Sequence, residues 1–223
     1  MNKITGAIFD LDGTLTDSMS VWTGCYAMVL KRYFKATYED LSREMAQALD
    51  TAPITIGIPM LCRYFRSSIS AEKILKEIDE YLYHFYFYEV CLKDGVRELL
   101  EHLYSKEVKM CVASASSPRF VQAAIKHCKI DPYFTKVFTC DEIGKSKETP
   151  DIYELAISQL NTSRKETWIF EDAVIAMRTA AQTGMPTVGI YDREQREQDE
   201  IRSLSTIYLA KGESHATLIP YFD

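Results

Sequence analysis

A chain of 223 residues, 47% of them hydrophobic and 26% charged, is long enough for one large domain or for a core with a smaller lobe. Its net charge of −6 argues against a sequence-independent nucleic-acid binder, because such proteins normally present a basic surface. No apolar run approaches the roughly 18 residues that a membrane-spanning helix needs, so we expect no association with a membrane.

Cysteine usage and the first residues indicate a reducing compartment. The six cysteines include no CxxC pair, and in a chain of this length we expect thiols rather than disulfides. The opening residues, MNKITGAIFDLDG, are typical of a strand that leads into a turn rather than of a signal peptide. We therefore expect a cytoplasmic protein. The cysteines are Cys25, Cys62, Cys91, Cys111, Cys128 and Cys140.

The first predicted element is a buried strand. Ile4 to Phe9 is a short apolar run that ends at Asp10, Asp12 and Gly13. Short apolar runs that end in a turn of this composition are typical of strands inside a core. The two acidic residues therefore follow directly on the end of a strand.

The segment from about Thr16 to Val90 contains helical patterns and no convincing strand. It predicts an all-helical insert between the first and second strands, with Ser70 capping its last helix and Asp94-Gly95 as the return hinge. The aromatic run from Tyr81 to Val90 is expected to pack the insert and its seam with the core, with stacking on a substrate as the alternative. The predicted helices are Val21 to Tyr33, Tyr38 to Leu49, Ile58 to Phe65 and Ala71 to Tyr88.

Beyond the hinge, apolar strands alternate with amphipathic helices, which predicts a parallel sheet with helices on both sides. Ser117 is a predicted helix cap with Pro118 at the first helical position. The charged segment from Asp192 to Arg202 is expected to be a solvated helix face. The predicted strands are Val108 to Ala113, Lys136 to Thr139, Thr167 to Phe170, Pro186 to Ile190 and, at the edge, Thr206 to Leu209.

Candidate reactive side chains follow the ends of these strands or lie in the loops between them. In an open parallel sheet, ligands bind beyond the carboxyl ends of the strands. We therefore expect these side chains to share one rim of the sheet. They are Asp10, Asp12, Ser114, Lys147, Glu171 and Asp172.

The carboxylates in this set suggest a bound cation. Asp10 and Asp12 repel each other, which favours a cation or a shared proton between them. With Glu171 and Asp172 they form an all-oxygen set that suits a hard ion such as Mg²⁺, whereas the four scattered histidines indicate no zinc site. If the substrate carries phosphate, one carboxylate can attack phosphorus. The second can protonate the leaving oxygen and then activate water.

Each signal alone also has an ordinary structural explanation. An Asp-x-Asp pair is typical of turns, and Glu171-Asp172 could cap the next helix. Ser114 could be a loop serine, and Lys147 a solvated surface lysine. The joint order of these residues along the chain favours a common site.

That joint order resembles the haloacid dehalogenase-like hydrolase superfamily. FDLDGTLTDS (Phe9 to Ser18) matches its first motif, and ASASS (Ala113 to Ser117) resembles its second. KETPDIY (Lys147 to Tyr153) is similar to its lysine motif, and FEDAVIAMRTAAQTGM (Phe170 to Met185) to its last. The resemblance covers nearly the whole chain and is closest to the beta-phosphoglucomutase-like and phosphoglycolate-phosphatase-like group.

The resemblance implies an α/β fold, with a Rossmann-like parallel-sheet core and an inserted all-helical cap domain. Residues 1–15 and 95–223 would form the core, and residues 16–94 the cap. It also implies that Asp10 is the nucleophile and a magnesium ligand. Asp12 would be the general acid and base, and its backbone carbonyl would also bind magnesium.

The remaining motif residues receive supporting roles from the same resemblance. Thr14 and Ser114 would bind phosphate or orient the aspartates, and Lys147 would neutralise the nucleophile and the phosphoryl oxygens. Lys145 is close by, but Pro150 matches the motif spacing from Lys147. The magnesium site would be completed by Asp172, with Glu171 as a direct or indirect ligand.

Three positions depart from the family pattern. Ala173 replaces the usual serine and removes a hydroxyl near the metal, which puts metal affinity or rate in doubt. Ala176 replaces the usual glycine, and Glu148 stands where proline is common. The two reacting carboxylates are unaffected by these changes.

The superfamily that the chain resembles includes several activities, and single residues discriminate among them. Dehalogenases lack the second aspartate, so Asp12 argues against that reaction, and no cap-lysine motif for phosphonate cleavage is evident. The sugar-phosphate mutases carry a histidine where this chain has Trp22, which favours hydrolysis. Trp22 could instead line the cap side of the site and contact substrate. A binding protein without catalysis would not need to retain both Asp10 and Asp12.

The sequence therefore predicts a magnesium-dependent phosphatase that hydrolyses a small phosphorylated metabolite through an aspartyl-phosphate intermediate. A beta-phosphoglucomutase-like sugar-phosphate mutase is the alternative. The identity of the metabolite stays open, because substrate contacts lie on variable cap loops. We expect a monomer.

Overall fold

A computed structural model describes residues 3–223, apart from the side chains of residues 50 and 51. The chain divides into two compact units, which we describe separately. The first comprises Met1–Met19 with Tyr86–Asp223, and the second comprises Ser20–Phe85. The predicted functional division into residues 1–15 with 95–223 and residues 16–94 stays a prediction.

The first unit contains a six-stranded parallel sheet, as the sequence predicted. Its strand order is β3-β2-β1-β4-β5-β6, so β1 lies between β2 and β4 at the point where the order reverses. Ile8 in β1 is in register with Cys111 in β2 and Ile169 in β4. The strands are β1 (Gly6–Phe9), β2 (Lys109–Ser114), β3 (Phe134–Thr139), β4 (Thr167–Glu171), β5 (Thr187–Ile190) and β6 (Ile207–Leu209).

The helices of the second unit include most of α1 and α4, which begin or end in the first unit, and all of α2 and α3. The other helices belong to the first unit and alternate with its strands. In chain order, they are α1 (Met19–Val29), α2 (Arg43–Thr51), α3 (Ile54–Tyr64), α4 (Ala71–Tyr88), α5 (Val96–Ser105), α6 (Pro118–His127), α7 (Cys140–Ile143), α8 (Asp151–Leu160), α9 (Val174–Gln182) and α10 (Gln198–Leu204). Short 3₁₀ segments are Tyr38–Asp40, Asp131–Tyr133, Arg164–Glu166 and His215–Tyr221.

Apolar side chains from strand and helix form the core that holds β1 in place. Ile8, Cys111 and Ile169 belong to one cluster with Ile152 and Ala156 of α8. All five are fully buried, and burial of a side chain as large as isoleucine stabilises a fold by about 1.5–3 kcal/mol. The β1 end is thus a rigid place from which to present a reactive side chain.

Two predicted helices of the insert have different bounds in the structure. The helix predicted for Val21 to Tyr33 begins earlier, and α1 passes at Leu30 into a π-helical turn, Leu30–Phe34. That turn ends at Lys35, whose φ is 53°. The helix predicted from Tyr38 is broken, because the backbone is extended at Leu41 and a new helix is capped by Ser42. Ser and Thr compete for local hydrogen bonds, which favours such a break.

The structure places Pro59 inside α3, which begins at Ile54 rather than at the predicted Ile58. The preceding Pro53 is the cap residue of this helix. Proline lacks an amide donor, and the first amides of a helix have no acceptor within the helix, so a helix can begin directly after Pro53. Pro59 lies beyond this first turn, so α3 lacks the hydrogen bond that an amide at this position would donate.

Two further expectations about exposure were wrong in part. Asp192, predicted to lie on a solvated face, is buried and pairs with Lys93 at 2.7 Å, and α10 begins only at Gln198. Within the aromatic run, Tyr86 is fully buried, whereas Phe87 and Tyr88 are exposed. A helix presents successive residues to different sides, so a continuous aromatic run cannot pack as a whole.

All six cysteines are free thiols, in agreement with the sequence-based expectation. Among residues 3–223, no helix has both the length and the apolar character that crossing a membrane requires.

Candidate active site

Strand ends in the first unit bring the predicted reactive residues together. The Asp10 amide donates to the carbonyl of Phe170 at 3.0 Å, which continues the β1–β4 ladder and fixes the Asp10 backbone. Ser114 and Glu171 are the last residues of β2 and β4, and Asp172 follows directly. The parallel arrangement therefore places these side chains on one rim, as expected.

Lys147 connects two carboxylates at the centre of the site. Its Nζ donates to Asp10 Oδ1 and to Glu171 Oε1, and the lysine itself is buried. The Tyr153 hydroxyl of α8 donates to the same Glu171 oxygen at 2.8 Å. Lys147, rather than the exposed Lys145, thus makes the contact that the motif spacing implies.

Asp172 is held from the loop that follows β1. Thr14 Oγ1 donates to Asp172 Oδ1 at 2.9 Å. Gly13 has φ +82°, and a Cβ on this residue would lie 2.2 Å from Asp172 Oδ2. Only glycine fits at this position, because it has no side chain and adopts positive φ at little cost.

Burial makes these carboxylates reluctant to ionise without added positive charge. Burial raises the pKa of Asp10 to about 8, although the Lys147 ammonium opposes this shift. Burial also raises the pKa of Asp172 well above its ordinary value, and Asp10 and Glu171 add to the shift. For Lys147, burial lowers the pKa, but the two adjacent carboxylates outweigh it and the net shift is upward. The site therefore favours cations.

The residues present fit a hard divalent cation. Asp10, Glu171 and Asp172 are all buried, and one oxygen from each lies within 4.8 Å of the others. Glu171 Oε2 and Asp172 Oδ2 are buried and accept no hydrogen bond from a described residue. Buried polar atoms are normally satisfied, so these oxygens point to a ligand that binds oxygen. When all three carboxylates are ionised, they and the one lysine carry two net negative charges, which a divalent ion offsets.

Asp12 has a separate environment made of hydroxyl groups. Its Oδ1 accepts from Ser18 Oγ at 2.6 Å and from the Tyr86 hydroxyl, and its Oδ2 accepts from Ser116 Oγ at 2.5 Å. Ser114 is one step away, because its Oγ accepts from the Ser116 amide at 3.0 Å. The second aspartate is thus oriented by hydroxyl groups, and no described residue forms an ion pair with it.

Seven of the eight predicted site residues lie in the first unit, and the contacts above join them into two adjacent networks. Trp22 lies on α1 in the second unit, so its predicted substrate contact stays a prediction. Sequence reasoning did not identify Ser18, Ser116 and Tyr153, although all three lie in the quoted motifs. Tyr86 carried no signal beyond its place in an aromatic run.

Comparison with known proteins assigns this arrangement to a family. The model of the haloacid dehalogenase-like hydrolases matches residues 7–190, which include every residue of the two networks. The chain belongs to the haloacid dehalogenase-like hydrolase family. The predicted family and the predicted hydrolase class are thereby confirmed.

Two curated relatives show the breadth of this hydrolase family. A phosphorylated carbohydrates phosphatase from Thermotoga maritima is 27% identical over 181 residues, which cover 81% of this chain and 82% of that protein. A probable pseudouridine-5'-phosphatase from Drosophila melanogaster is 27% identical over 205 residues, which cover 86% and 84% of the two chains.

Solved structures share the fold. A presumed beta-phosphoglucomutase from Thermotoga maritima superposes with a TM-score of 0.81 at 22% identity, and the match covers 99% of both chains. A predicted phosphoglycolate phosphatase from Haemophilus somnus has a TM-score of 0.79 at 16% identity, also over 99% of both chains. These two structures therefore share the fold of this chain over nearly its whole length.

Proposed function

We propose that this hydrolase is a magnesium-dependent phosphatase that cleaves a small phosphorylated metabolite through an aspartyl-phosphate on Asp10. The observation that carries the proposal is the buried Lys147 ammonium between Asp10 and Glu171, beside the unsatisfied oxygens of Glu171 and Asp172. The phosphatase names of the curated relatives support the reaction class.

Asp10 is the nucleophile in this scheme. Its carboxylate attacks phosphorus, the ester oxygen leaves, and an acyl phosphate forms. Lys147 keeps a positive charge beside Asp10 Oδ1, which opposes the rise in the Asp10 pKa that burial causes. The same ammonium offsets charge on the transferring phosphoryl group.

Asp12 transfers the protons. It protonates the leaving oxygen in the first step, and in the second step it takes a proton from the water that cleaves the acyl phosphate. Thr14 orients Asp172, and Ser114 is the candidate phosphate-binding hydroxyl.

Asp10, Glu171 and Asp172, together with the Asp12 backbone carbonyl, are the residues that would hold Mg²⁺. When bound, the ion offsets negative charge on the carboxylates and on the phosphoryl oxygens. An all-oxygen donor set of this kind suits Mg²⁺ better than it suits Zn²⁺.

The substrate is proposed to be small because the relatives are named for phosphorylated carbohydrates and pseudouridine 5'-phosphate. Cytoplasmic location, the monomeric state and the absence of nucleic-acid partners belong to the same proposal. The free cysteines support the cytoplasmic location, and the acidic net charge supports the absence of nucleic-acid partners.

Phosphate release from a panel of phosphomonoesters tests the proposal. The panel contains an aryl phosphate, several sugar phosphates and a nucleoside 5'-phosphate, each assayed with Mg²⁺ and with a chelator. We expect release that needs Mg²⁺ and that falls at least about 10³-fold in Asp10→Asn, because an amide cannot form the acyl phosphate. The melting temperature of the variant confirms that it is folded.

Turnover by Asp10→Asn comparable with the wild type, after deamidation is excluded, would sink the assigned nucleophile. Beta-glucose 1-phosphate, primed with the bisphosphate, serves as the mutase control. Its conversion to the 6-phosphate without phosphate release from any ester would replace the phosphatase by the mutase.

A further inference from the structure

Three hydroxyl groups hold the carboxylate of Asp12, and one of them comes from a residue remote from every sequence motif. The Tyr86 hydroxyl donates to Asp12 Oδ1 from the end of α4, 74 residues away in the chain. Ser18 donates to the same oxygen, and Ser116 donates to Oδ2. The contact set is uneven: two donors bind one oxygen and a single donor binds the other.

We propose that Tyr86 is a positioning residue that, with Ser18, occupies Asp12 Oδ1 and leaves Oδ2 as the oxygen that carries the transferred proton. A carboxylate oxygen has two lone-pair sites, and both sites of Oδ1 are taken. Oδ2 accepts only from Ser116 among the described residues, so it retains one site for a proton. The inference rests on the proposed phosphatase function.

The assignment makes each step of the reaction explicit at one atom. As the bond between phosphorus and the ester oxygen breaks, Oδ2 gives its proton to that oxygen and an alcohol leaves. In hydrolysis, Oδ2 takes a proton from water as the water oxygen attacks phosphorus and the Asp10–phosphorus bond breaks. Asp12 is then protonated again, and no further reactant is needed.

Packing holds Tyr86 in place independently of its hydroxyl group. The side chain is fully buried, and its ring stacks on Phe120 at the start of α6, with centroids 5.3 Å apart and an angle of 16° between the planes. Phenylalanine at position 86 keeps the ring and its stacking, and removes only the donor.

If Tyr86 orients a general acid, its removal should reduce activity by an amount that depends on the leaving group. If Tyr86 is merely structural, its removal should reduce activity equally on all esters. A good leaving group, such as nitrophenolate, departs with little need for a proton, whereas an alkyl alkoxide requires one. The value of kcat/KM reports the steps up to formation of the phosphoenzyme. Loss of acid positioning should therefore reduce kcat/KM most for alkyl phosphates.

The experiment compares Tyr86→Phe with the wild type on 4-nitrophenyl phosphate and on the best alkyl phosphate of the panel. We expect kcat/KM to fall at least about 10-fold more on the alkyl ester than on the aryl ester, with an unchanged melting temperature. Ser18→Ala, which removes the other Oδ1 donor, should show the same preference. Tyr208→Phe is the matched control, since it removes a tyrosine hydroxyl that donates to Gln198 at 2.7 Å.

Equal losses on the two esters, or no loss in Tyr86→Phe, would overturn the positioning role while the phosphatase assignment stands. Failure of the wild type to release phosphate from any ester would instead overturn the proposed function, and the role of Tyr86 with it. The two failures are thus distinguished by the wild-type protein alone.

Discussion

Lys147 is the residue on which the electrostatics of the site depend most directly. It is the cation that contacts both Asp10 and Glu171, and all three side chains are buried. Removing one partner of a buried ion pair leaves an uncompensated charge, which typically costs about 3–5 kcal/mol. Here removal of the lysine also leaves two carboxylates close together.

Lys147→Gln is expected to lower the free energy of unfolding by about 3–5 kcal/mol in the presence of a chelator. Addition of Mg²⁺ should recover part of this loss, because a divalent cation can replace the missing charge. Denaturant unfolding with and without Mg²⁺ measures both effects. Lys145→Gln, in the same loop but exposed, is the control and should change stability by less than about 0.5 kcal/mol. A loss that Mg²⁺ does not reduce at all would contradict the proposed metal site.

At the scale of elements, the loop between β1 and α1 connects the site residues at the end of β1 with Asp172, which follows β4. The Gly13 amide donates to the Thr16 carbonyl at 2.9 Å, and the Lys93 amide donates to the Leu15 carbonyl at 2.9 Å. The segment after β1, where the chain leaves the first unit, is thereby hydrogen-bonded to the segment by which the chain returns to it. The loop is tight because Gly13 packs against Asp172 without a side chain.

Gly13→Ala is expected to abolish phosphatase turnover and to destabilise the protein by more than the usual cost of a positive φ, about 1–2 kcal/mol. The added Cβ would overlap Asp172, so the loop or the carboxylate must move. Gly212→Ala is the matched control, because Gly212 has the same φ of +82° but no atom of the described residues lies within 4 Å of the added Cβ. Turnover and urea unfolding check the prediction, and equal effects of both substitutions would contradict it.

At the scale of the whole molecule, the C-terminal segment is attached to the chain where it re-enters the first unit. The His215 amide donates to the Asp94 carbonyl at 2.8 Å, and its Nδ1 lies 3.1 Å from the same oxygen. Gly95 packs so closely that an added Cβ would lie 2.1 Å from Ser214 Oγ. Burial, with the positive charge of Lys93, lowers the pKa of His215 to about 4, below its ordinary value of 6.5.

The depressed pKa of His215 predicts a stability that falls as the pH falls from about 6.5 towards 4. The unfolded chain binds a proton in this range and the folded chain does not, so protonation favours unfolding. At pH 4.5 the effect is roughly 2–3 kcal/mol at a single site. The His215→Gln variant lacks this titrating group. The free energy of unfolding of the wild type minus that of the variant should therefore be smaller at pH 4.5 than at pH 7, by roughly 2–3 kcal/mol. A constant difference across this range would disprove the shift.

Local patterns by themselves predicted the parallel sheet and the family, and they singled out the residues that we propose as nucleophile and metal ligands. These features are readable because a strand end, a glycine turn and a motif such as FDLDGTLTDS involve neighbouring residues. Where helix bounds were wrong, as at Leu41 and Leu30, local side-chain hydrogen bonds and packing changed an otherwise helical pattern.

Only the tertiary structure decided which hydroxyl groups surround Asp12. It also decided that Asp192, which lies outside the motifs, is buried and pairs with Lys93. Tyr86 and Ser116 lie 74 and 104 residues from Asp12, and Lys93 lies far from Asp192 in the chain. Contacts of this kind depend on how elements pack, and no periodicity or spacing in the sequence records them. The proposed nucleophile could therefore be picked out from the sequence, whereas the hydroxyl groups around its proposed acid–base partner could not.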